Sequence, residues 1–218
     1  MINNNISVRT LERLPIYHHL LQQLRNQGLE YVSTTDIAKN LNLKPIQVRK
    51  DISVTGIVGK PRIGYLIDEL LHSIEHFLGW DHRTNAVLIG CGNLGTSLLG
   101  YDDFENYGLH IIMAFENSPG KTGKQIYGKP VYHLKDFERK IKDVCVDLGI
   151  ITVPKESAQG VAELLYNNGI KAIWNFAPIS LKLPSDVKIQ QQDMAPCLAV
   201  LLSKVHITSP CINYNNLD

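Results

Sequence analysis

The 218-residue sequence lacks the features that mark membrane-spanning, exported and cysteine-ligated metal proteins. It has no run of about 18 apolar residues, which argues against a membrane-spanning helix. Its N-terminus, MINNNISVRT, has no apolar centre of a signal peptide. The 4 cysteines form no C-x-x-C pair, so we expect no metal and a cytoplasmic chain with reduced thiols. The net charge is only +1, so an affinity for nucleic acid requires a local basic cluster.

Residues 10–78 have the apolar spacing of a small helical domain. The first segment repeats apolar residues at helical intervals: Leu14, Tyr17, Leu21 and Leu24. Pro15 suits the first turn of this helix, where its missing N–H costs nothing. Ser33 and Asp36 have the pattern of a capping box at the start of a second helix, and Pro45 opens a third. A fourth, amphipathic helix is predicted over residues 67–78.

The second half of the sequence alternates between short apolar runs and helical patterns. The apolar runs cover residues 86–89, 111–115, 146–153 and 172–176. Helical patterns at 134–141 and 157–166 lie between them, and this alternation predicts βαβ units with a parallel sheet. The pattern changes near residues 79–84, which predicts one domain over 1–80 and an α/β domain over 81–190.

The stretch LIGCGNLGTSLL contains a G-x-G-x-x-G string between a predicted strand and a predicted helix, the setting of a dinucleotide-binding turn. In such a turn Gly90 allows a tight bend, Gly92 the approach of a pyrophosphate, and Gly95 close packing of helix and strand. Glu116 ends the next predicted strand 21 residues after Gly95. An acid about 20 residues on binds the ribose hydroxyls and favours NAD over NADP. A site for coenzyme A or S-adenosylmethionine, or a turn that holds no nucleotide, remains an alternative.

A basic segment, KPIQVRKDISVTGIVGKPRIGY, follows the second predicted helix. Residues 44–62 contain 5 basic side chains and 1 acidic one. Val48 and Ile52 share the apolar face of the third helix. The opposite face, expected to meet DNA, carries Gln47, Arg49, Lys50 and Ser53. Lys60 and Arg62 lie between glycines, which predicts a β-wing against phosphate or a minor groove. The order of elements favours a winged helix-turn-helix domain over a merely solvated basic face.

Six motifs follow one another along the chain: ERLPIYHHLL, QVRKDIS, GKPRIGY, IGCGNLGTSLLGY, ITVP and NFAP. Together they resemble the bacterial redox-sensing transcriptional repressor Rex family over about residues 10–205. The resemblance implies an α/β chain with a winged-helix domain and a Rossmann domain, and a homodimer that binds operator DNA when NADH is scarce relative to NAD⁺. It implies that NADH releases the DNA. It also implies that residues 191–218 form a dimerisation helix and tail, swapped between the two chains.

The resemblance assigns individual residues to the cofactor. These are Gly90, Cys91, Gly92, Asn93, Leu94, Gly95, Thr96, Tyr101, Glu116, Thr152, Val153, Pro154, Asn175 and Phe176. Tyr101 is placed near the nicotinamide, where it forms a switch with Arg13 and with Asp193 from the partner chain. Our hypothesis pairs Asp193 with Arg13 in the DNA-bound form and turns it toward Tyr101 when NADH binds.

The sequence departs from the family pattern at three places. Residues 54–55, Val-Thr, stand where an aromatic pair is usual, and Pro61 lies in the wing, so the operator sequence stays open. Residues 196–197, Pro-Cys, stand where an acidic, leucine-containing stretch is typical. Pro196 would kink a helix that begins near Gln192, unless the helix begins later.

A small NAD-dependent oxidoreductase is the enzymatic alternative. Only 28 residues follow Gln190, and none of the 8 histidines lies in a recognisable catalytic string, so we predict no enzyme. A nucleotide-binding module without DNA affinity is a second alternative. Cys91 lies near a predicted helix N-terminus, which would lower its thiol pKa and suit a redox sensor. We favour the simpler interpretation, a small residue that fills the G-x-G turn.

Overall fold

The structure, a computed structural model, describes residues 6–208 and divides into two compact units. Unit 1 comprises the described residues up to Arg83 together with Asp103–Leu109. Unit 2 comprises Thr84–Asp102 and the described residues from His110 onward. The sequence does not predict the return of Asp103–Leu109 to unit 1. Within residues 6–208, no helix is long and apolar enough to cross a membrane.

Unit 1 is helical, with a two-stranded sheet. Its elements are α1 (Val8–Asn26), β1 (Tyr31–Val32), α2 (Thr34–Leu41), α3 (Pro45–Ser53), β2 (Tyr65–Leu66) and α4 (Ile67–Leu78). The prediction for Pro15 is wrong, because it lies inside α1 rather than in its first turn. The helix begins earlier because the Ser7 hydroxyl accepts the N–H of Thr10 at 3.1 Å and caps it. The capping box of Ser33 and Asp36 is confirmed at α2.

The core of unit 1 lies where α1, α3 and α4 pack together. Its fully buried side chains include Leu14, Tyr17, Leu21, Ile37, Val48, Ile52, Leu70 and Ile74. The predicted apolar faces of the first, third and fourth helices supply most of these residues. The segment after α3 forms a tight hairpin, in which Lys60 and Gly64 exchange backbone hydrogen bonds of 2.7 and 2.9 Å. Arg62 lies at its tip with a φ of +65°. The predicted wing is therefore this hairpin.

Unit 2 is built on a seven-stranded sheet. Its strands are β3 (Thr84–Ile89), β4 (Leu109–Glu116), β5 (Gln125–Ile126), β6 (Lys129–His133), β7 (Leu148–Ile151), β8 (Ala172–Asn175) and β9 (Lys188–Gln191). The order in the sheet is β5-β6-β4-β3-β7-β8-β9. Apart from the antiparallel β5, the strands follow the doubly wound Rossmann order, and the pairs β3–β7, β7–β8, β8–β9 and β4–β6 are parallel. The strand order reverses between β3 and β7.

Helices connect these strands. They are α5 (Asn93–Leu99), a 3₁₀ helix (Asp102–Tyr107), a second 3₁₀ helix (Leu134–Asp136), α6 (Phe137–Ile141) and α7 (Lys155–Asn167). A last helix, α8 (Ala195–Thr208), follows β9. Apolar side chains from the sheet, α6 and α7 form the core of unit 2, among them Val87, Ile89, Phe115, Ile151 and Leu165.

The C-terminal helix α8 resolves the question of Pro196. The helix begins at Ala195, so Pro196 lies in its first turn and no kink is required. Its apolar side chains are exposed in the single chain: Leu198, Val200, Leu201, Leu202 and Val205. Residues 209–218, the tail predicted to complete this region, lie outside the described residues.

Candidate functional site

Two glycines shape the turn between β3 and α5 through backbone contacts. Gly90 has a φ of +101°, which favours glycine, and a Cβ there would lie 2.8 Å from the carbonyl oxygen of Thr152. A Cβ at Gly95 would overlap the carbonyl oxygen of Gly90. The first turn of α5 therefore packs against the end of β3 only because these residues have no side chains.

Gly92 differs from these two because no neighbouring protein atom would clash with a side chain at this position. Its φ is an ordinary −64°, and a Cβ there would meet nothing within 4 Å. Gly160, inside α7, also faces nothing within 4 Å, although a glycine in a helix costs about 1 kcal/mol relative to alanine. Both residues line one cavity. Its wall thus lacks side chains at two points, which fits a ligand that approaches the backbone closely.

This cavity, of about 450 Å³, opens at the carboxyl ends of β3 and β7. It brings together six of the predicted cofactor residues: Gly90, Gly92, Glu116, Thr152, Val153 and Pro154. The sequence did not single out Ser157, Gly160, Val161 and Leu164 of α7, which also line it. Ligands of doubly wound sheets bind where the strand order reverses, at the carboxyl ends of the strands. The cavity has this position and the size of a nucleotide-binding cleft.

Glu116, at the end of β4, is held by backbone donors. Its Oε2 accepts the N–H of Cys91 at 2.7 Å, and its Oε1 accepts those of Asn117 and Ser118 at 2.7 and 3.0 Å. Burial opposes its ionisation, but these bonds and the charge of Lys121 outweigh burial and lower the pKa of Glu116. Because a carboxylate oxygen has about two acceptor positions, Oε2 retains one for a ribose hydroxyl.

The structure contradicts a lowered pKa at Cys91. Burial, and then the nearby Glu116 carboxylate, raise the pKa of the Cys91 thiol to about 11. The side chain is fully buried, and its thiol is protonated at neutral pH. It is therefore a poor nucleophile and serves as a small buried residue in the turn. The ammonium group of Lys121, which the sequence did not single out, donates to the Cys91 carbonyl and places a cation beside the turn.

The remaining predicted cofactor residues do not line the cavity. Thr96 donates its hydroxyl to the Cys91 carbonyl at 3.0 Å, and Tyr101, after α5, is 47% exposed. Asn175 is fully buried, and its amide donates to the carbonyls of residues 177 and 179 at 3.2 and 3.0 Å, so it shapes the loop after β8. The ring of Phe176 packs on Trp174 at 4.8 Å. Two exposed residues open α5, Asn93 and Leu94. Cofactor contacts of these residues stay predictions.

A second, basic cavity of about 370 Å³ lies between α2, α3 and the wing. Arg49, Lys60 and Arg62 line it, and Lys60 also lies 5.4 Å from the centre of the Tyr31 ring. The other predicted DNA-binding residues, exposed on α3 outside this cavity, are Gln47, Lys50 and Ser53. Three basic side chains therefore converge on one surface from the helix and the hairpin, as a winged helix requires.

Hydroxyl groups at the start of α2 face the same basic cavity. Ser33, Thr34 and Thr35 line it beside the basic side chains. Helix N-termini and hydroxyl side chains donate to phosphate in protein–DNA interfaces. The capping box in the sequence marks this helix end, so it was the signal that would have added these residues to the predicted interface.

Asp51 holds the third helix in place through a network that the sequence did not reveal. The carboxylate is buried and accepts the Nε and Nη2 groups of Arg13 at 2.6 and 2.8 Å. It also accepts the hydroxyls of Tyr17 at 2.7 Å and Thr10 at 3.0 Å. Each oxygen thus has two donors, all from α1, so the four acceptor positions of Asp51 are filled.

The network fixes the charges of its members. Burial opposes ionisation of Asp51, but the hydrogen bonds from Arg13, Tyr17 and Thr10 outweigh it and lower the pKa of Asp51. The hydrogen bond to Asp51 raises the pKa of Arg13. Burial, and then the bond to Asp51, raise the pKa of Tyr17. Around neutral pH, an ionised pair therefore joins α1 to α3 in the core of unit 1.

Of the three predicted switch residues, Arg13 belongs to unit 1, and Tyr101 and Asp193 belong to unit 2. Arg13 is engaged with Asp51, and Asp193 accepts the N–H of Ala195 at 2.9 Å at the start of α8. Pairing of Arg13 with Asp193 of a second chain stays a prediction, and it has to use the N–H groups of Arg13 that Asp51 does not occupy.

Two family models match the chain. The putative DNA-binding protein N-terminus matches residues 5–53, and the CoA binding domain matches residues 81–179. The redox-sensing transcriptional repressor Rex of Treponema denticola is 44% identical over 192 residues, which are 88% of this chain and 91% of that protein. The Rex of Bacteroides thetaiotaomicron is 38% identical over 197 residues, 90% of each chain.

Solved structures agree with these relatives. RSP, described as a Rex-family repressor, is 31% identical, with a TM-score of 0.84 over 94% of this chain and 96% of that one. RSP in complex with β-NAD⁺ and operator DNA superimposes with a TM-score of 0.88 over 94% of each chain. RSP in complex with β-NADH has a TM-score of 0.84.

These similarities confirm the predicted combination of a DNA-binding unit and a Rossmann-like α/β unit. They also favour the regulator over the oxidoreductase, because the relatives that match over nearly their whole length are named as repressors. The chain belongs to the family of the redox-sensing transcriptional repressor Rex.

Proposed function

We propose that this chain represses transcription by binding operator DNA when NADH is scarce relative to NAD⁺, and that NADH releases it. The observation that carries the proposal is that one chain contains two cavities. One is the basic cavity between α2, α3 and the wing, and the other is the cavity where the strand order of the Rossmann sheet reverses. RSP complexes with β-NAD⁺ and operator DNA, and with β-NADH, support both ligands for a chain 31% identical to it. A cytoplasmic location belongs to this proposal, because a repressor has to reach the DNA that it regulates.

The cleft suits NAD(H) better than the coenzyme A named in the matching family model. Gly92 leaves the backbone open to the pyrophosphate, and Glu116 offers Oε2 to the ribose hydroxyls. Thr152 holds the turn, because its hydroxyl donates to the carbonyl of Gly90 at 2.7 Å and lies 3.1 Å from that of Ile89. The reduced nicotinamide lacks the ring charge of the oxidised form, and this difference is what the protein has to sense.

The DNA-binding surface reads an operator with α3 and holds its backbone with the wing. Arg49 and Lys50 are the side chains placed to reach base edges, because both are exposed on the helix face opposite Val48. Lys60 and Arg62 contact phosphate from the hairpin. The hydroxyls at the start of α2 add neutral donors to the same backbone.

Arg13 and Asp51 give the switch a route to the DNA-binding helix. The family resemblance assigns Arg13 to cofactor sensing. Its guanidinium is hydrogen-bonded to the carboxylate of Asp51, a residue of α3 that directly follows Lys50. A change at Arg13 therefore alters the support of α3 as well as the switch. Asp193 contributes from a second chain, so the mechanism requires the homodimer, for which the exposed apolar side chains of α8 offer a surface.

The direct test follows DNA release as the nucleotide is varied. A labelled duplex, selected by the protein from a random pool, is bound, and its anisotropy is recorded during titration with NADH, NAD⁺ or NADPH. At low nucleotide concentration, we expect NADH to release the duplex and NAD⁺ and NADPH to leave it bound. Equal release by NADH and NAD⁺, or none by either, contradicts redox sensing.

The same titration tests the switch residue. Because coupling is reciprocal, operator DNA has to weaken NADH binding by the factor with which NADH weakens DNA binding. Asp193→Ala leaves the DNA-contacting residues intact, and its ratio of operator affinities with and without NADH is expected to be smaller than that of the wild type. Ser203→Ala, in α8, is the matched control. An unchanged response in Asp193→Ala removes this residue from the switch.

A further inference from the structure

Three side chains of types that ligate metals lie together at the C-terminal end of α4, and none of them lines either cavity described above. His76 is in the last turn of α4, and Asp81 and His82 follow the left-handed Gly79 that ends the helix. The Nδ1 of His76 and the Oδ2 of Asp81 are 2.7 Å apart, and the Nε2 of His82 is 3.7 Å from the Oδ1 of Asp81. One donor atom from each of the three residues lies within 4.8 Å of the others.

Backbone hydrogen bonds fold the chain back to bring these donors together. The N–H of Gly79 donates to the carbonyl of His76 at 3.2 Å, and that of His82 donates to the carbonyl of Gly79 at 3.2 Å. Between them, the ring of Trp80 packs at 4.6 Å from that of Tyr107 and at 5.1 Å from that of His18. The turn is thus fixed on both sides of Asp81, and its backbone brings the three residues close together.

The donor set selects among cations. Two imidazole nitrogens and one carboxylate oxygen are the ligands of many Zn²⁺ sites with three protein ligands and one water. Calcium and magnesium prefer oxygen ligands alone. The side chains of His76 and His82 are 69% and 73% exposed, so both can rotate to bond lengths of about 2.0–2.2 Å while water takes a fourth position.

We propose that His76, Asp81 and His82 bind one divalent transition-metal ion, and that Zn²⁺ is the ion that this donor set fits best. The ion joins the last turn of α4 to the connection that precedes β3, and so closes the C-terminal end of the helix. The absence of paired cysteines gives no sign of this site, because its ligands are histidine and aspartate side chains. The spacing H-x₄-D-H matters only because Gly79 reverses the chain between the first and second ligands.

Zinc binding by the tag-free full-length chain tests the proposal. Zn²⁺ is titrated in competition with a chromophoric chelator, using the wild type, His76→Ala, His82→Ala and Asp81→Asn. The matched control is His72→Ala, which removes an exposed histidine from the same helix. We expect one Zn²⁺ per wild-type and control chain. Each of the other variants is expected to weaken binding by about 100-fold or more, because even groups that only orient a ligand contribute about 10- to 100-fold.

A second measurement identifies the ligands independently of affinity. Cu²⁺ bound to the wild type is expected to show hyperfine coupling to two imidazole nitrogens in its electron paramagnetic resonance spectrum, and to one in His82→Ala. Far-UV circular dichroism confirms that each variant is folded. Equal Zn²⁺ affinity in the wild type, His76→Ala and His82→Ala overturns the proposal. Loss of wild-type binding after alkylation of the exposed Cys145 and Cys197 also overturns it, because it assigns the metal to thiols.

Discussion

The nucleotide cleft of unit 2 depends on the absence of side chains, whereas the support of α3 in unit 1 depends on hydrogen bonds between side chains. In the cleft, Gly90, Gly92 and Gly95 leave space, and the turn works through its backbone. In unit 1, Asp51 collects four hydrogen bonds from side chains of α1 that lie 34 to 41 positions away in the sequence. The cleft is therefore sensitive to atoms that are added, and the helix support to atoms that are removed.

The largest effect is expected from one methyl group added to the turn. In Gly95→Ala the new Cβ overlaps the Gly90 carbonyl, and neither backbone segment can move freely. We expect a loss of about 3 kcal/mol or more in the stability of unit 2, at or above the upper end of overpacking costs. Thermal denaturation and calorimetric NADH titration measure this loss and the loss of cofactor binding that accompanies it.

Gly92→Ala is the matched partner of that variant. Its Cβ meets no protein atom, so stability is expected to stay within about 0.5 kcal/mol of the wild type. NADH affinity is nevertheless expected to fall, because the methyl group occupies the approach of the pyrophosphate. If Gly92→Ala binds NADH as tightly as the wild type, the pyrophosphate lies elsewhere.

The next effect comes from removing a charge in unit 1. Asp51→Asn leaves Arg13 without its carboxylate, and because the Arg13 side chain is 20% exposed, the cost is expected to be below the about 3–5 kcal/mol of a fully buried ion pair. Urea denaturation measures the loss. Asp68→Asn is the control, because its pair with Arg25 is 3.5 Å long and exposed, so little change is expected. Operator affinity is expected to fall with Asp51→Asn and to stay unchanged with Asp68→Asn.

The same network predicts a pH dependence. The pKa of Asp51 is lower in the folded chain than its ordinary value of 3.8, so its stabilisation is complete above about pH 4 and is lost as the pH falls through the lowered pKa. We expect the stability difference between the wild type and Asp51→Asn to shrink below about pH 4. A difference that stays constant between pH 5 and pH 3 shows that the charge of Asp51 does not contribute.

Smaller effects are expected at the DNA-binding surface. Arg49→Ala and Lys50→Ala should each weaken operator binding by about 1–3 kcal/mol if the side chain reads a base. Lys60→Ala should weaken all sequences alike and reduce the salt slope by about one unit. Anisotropy titrations at several salt concentrations separate the two classes. Wild-type affinity in all three variants makes the assignment of this surface wrong.

The smallest effect concerns the choice of nucleotide. Glu116, which accepts the N–H of Cys91, is expected to repel a 2′-phosphate, whereas the ammonium of Lys121, which donates to the carbonyl of Cys91, is expected to attract it. Glu116→Gln is expected to narrow the preference for NADH over NADPH by about 1 kcal/mol, and Lys121→Ala to widen it. Calorimetric titration with both nucleotides measures the gap. Equal affinities in the wild type contradict the role of Glu116.

Local patterns predicted the parts of the molecule that depend on neighbouring residues. The glycine spacing located the cleft, the capping box located α2, and the apolar stripes located α3 and α4. They failed where contacts between residues far apart in the sequence determine the structure. In the sequence, Asp51 of QVRKDIS is only one acidic residue in a basic helix, and the fold alone shows that Arg13, Tyr17 and Thr10 surround it. The strands β6 and β9 were missed because KPVYH contains proline and KIQQ is polar and mostly exposed.

The return of residues 103–109 to unit 1 also bears on how the gene can be divided. Tyr107 accompanies this return, with its hydroxyl 3.0 Å from the Nε2 of His19 and its ring 4.6 Å from that of Trp80. A fragment ending at Arg83 therefore lacks part of its own packing surface. Replacing residues 6–83 alone by those of a relative would separate His19 and Trp80 from the Tyr107 that packs against them here. A chimera that exchanges unit 1 therefore requires two segments of the gene to be exchanged.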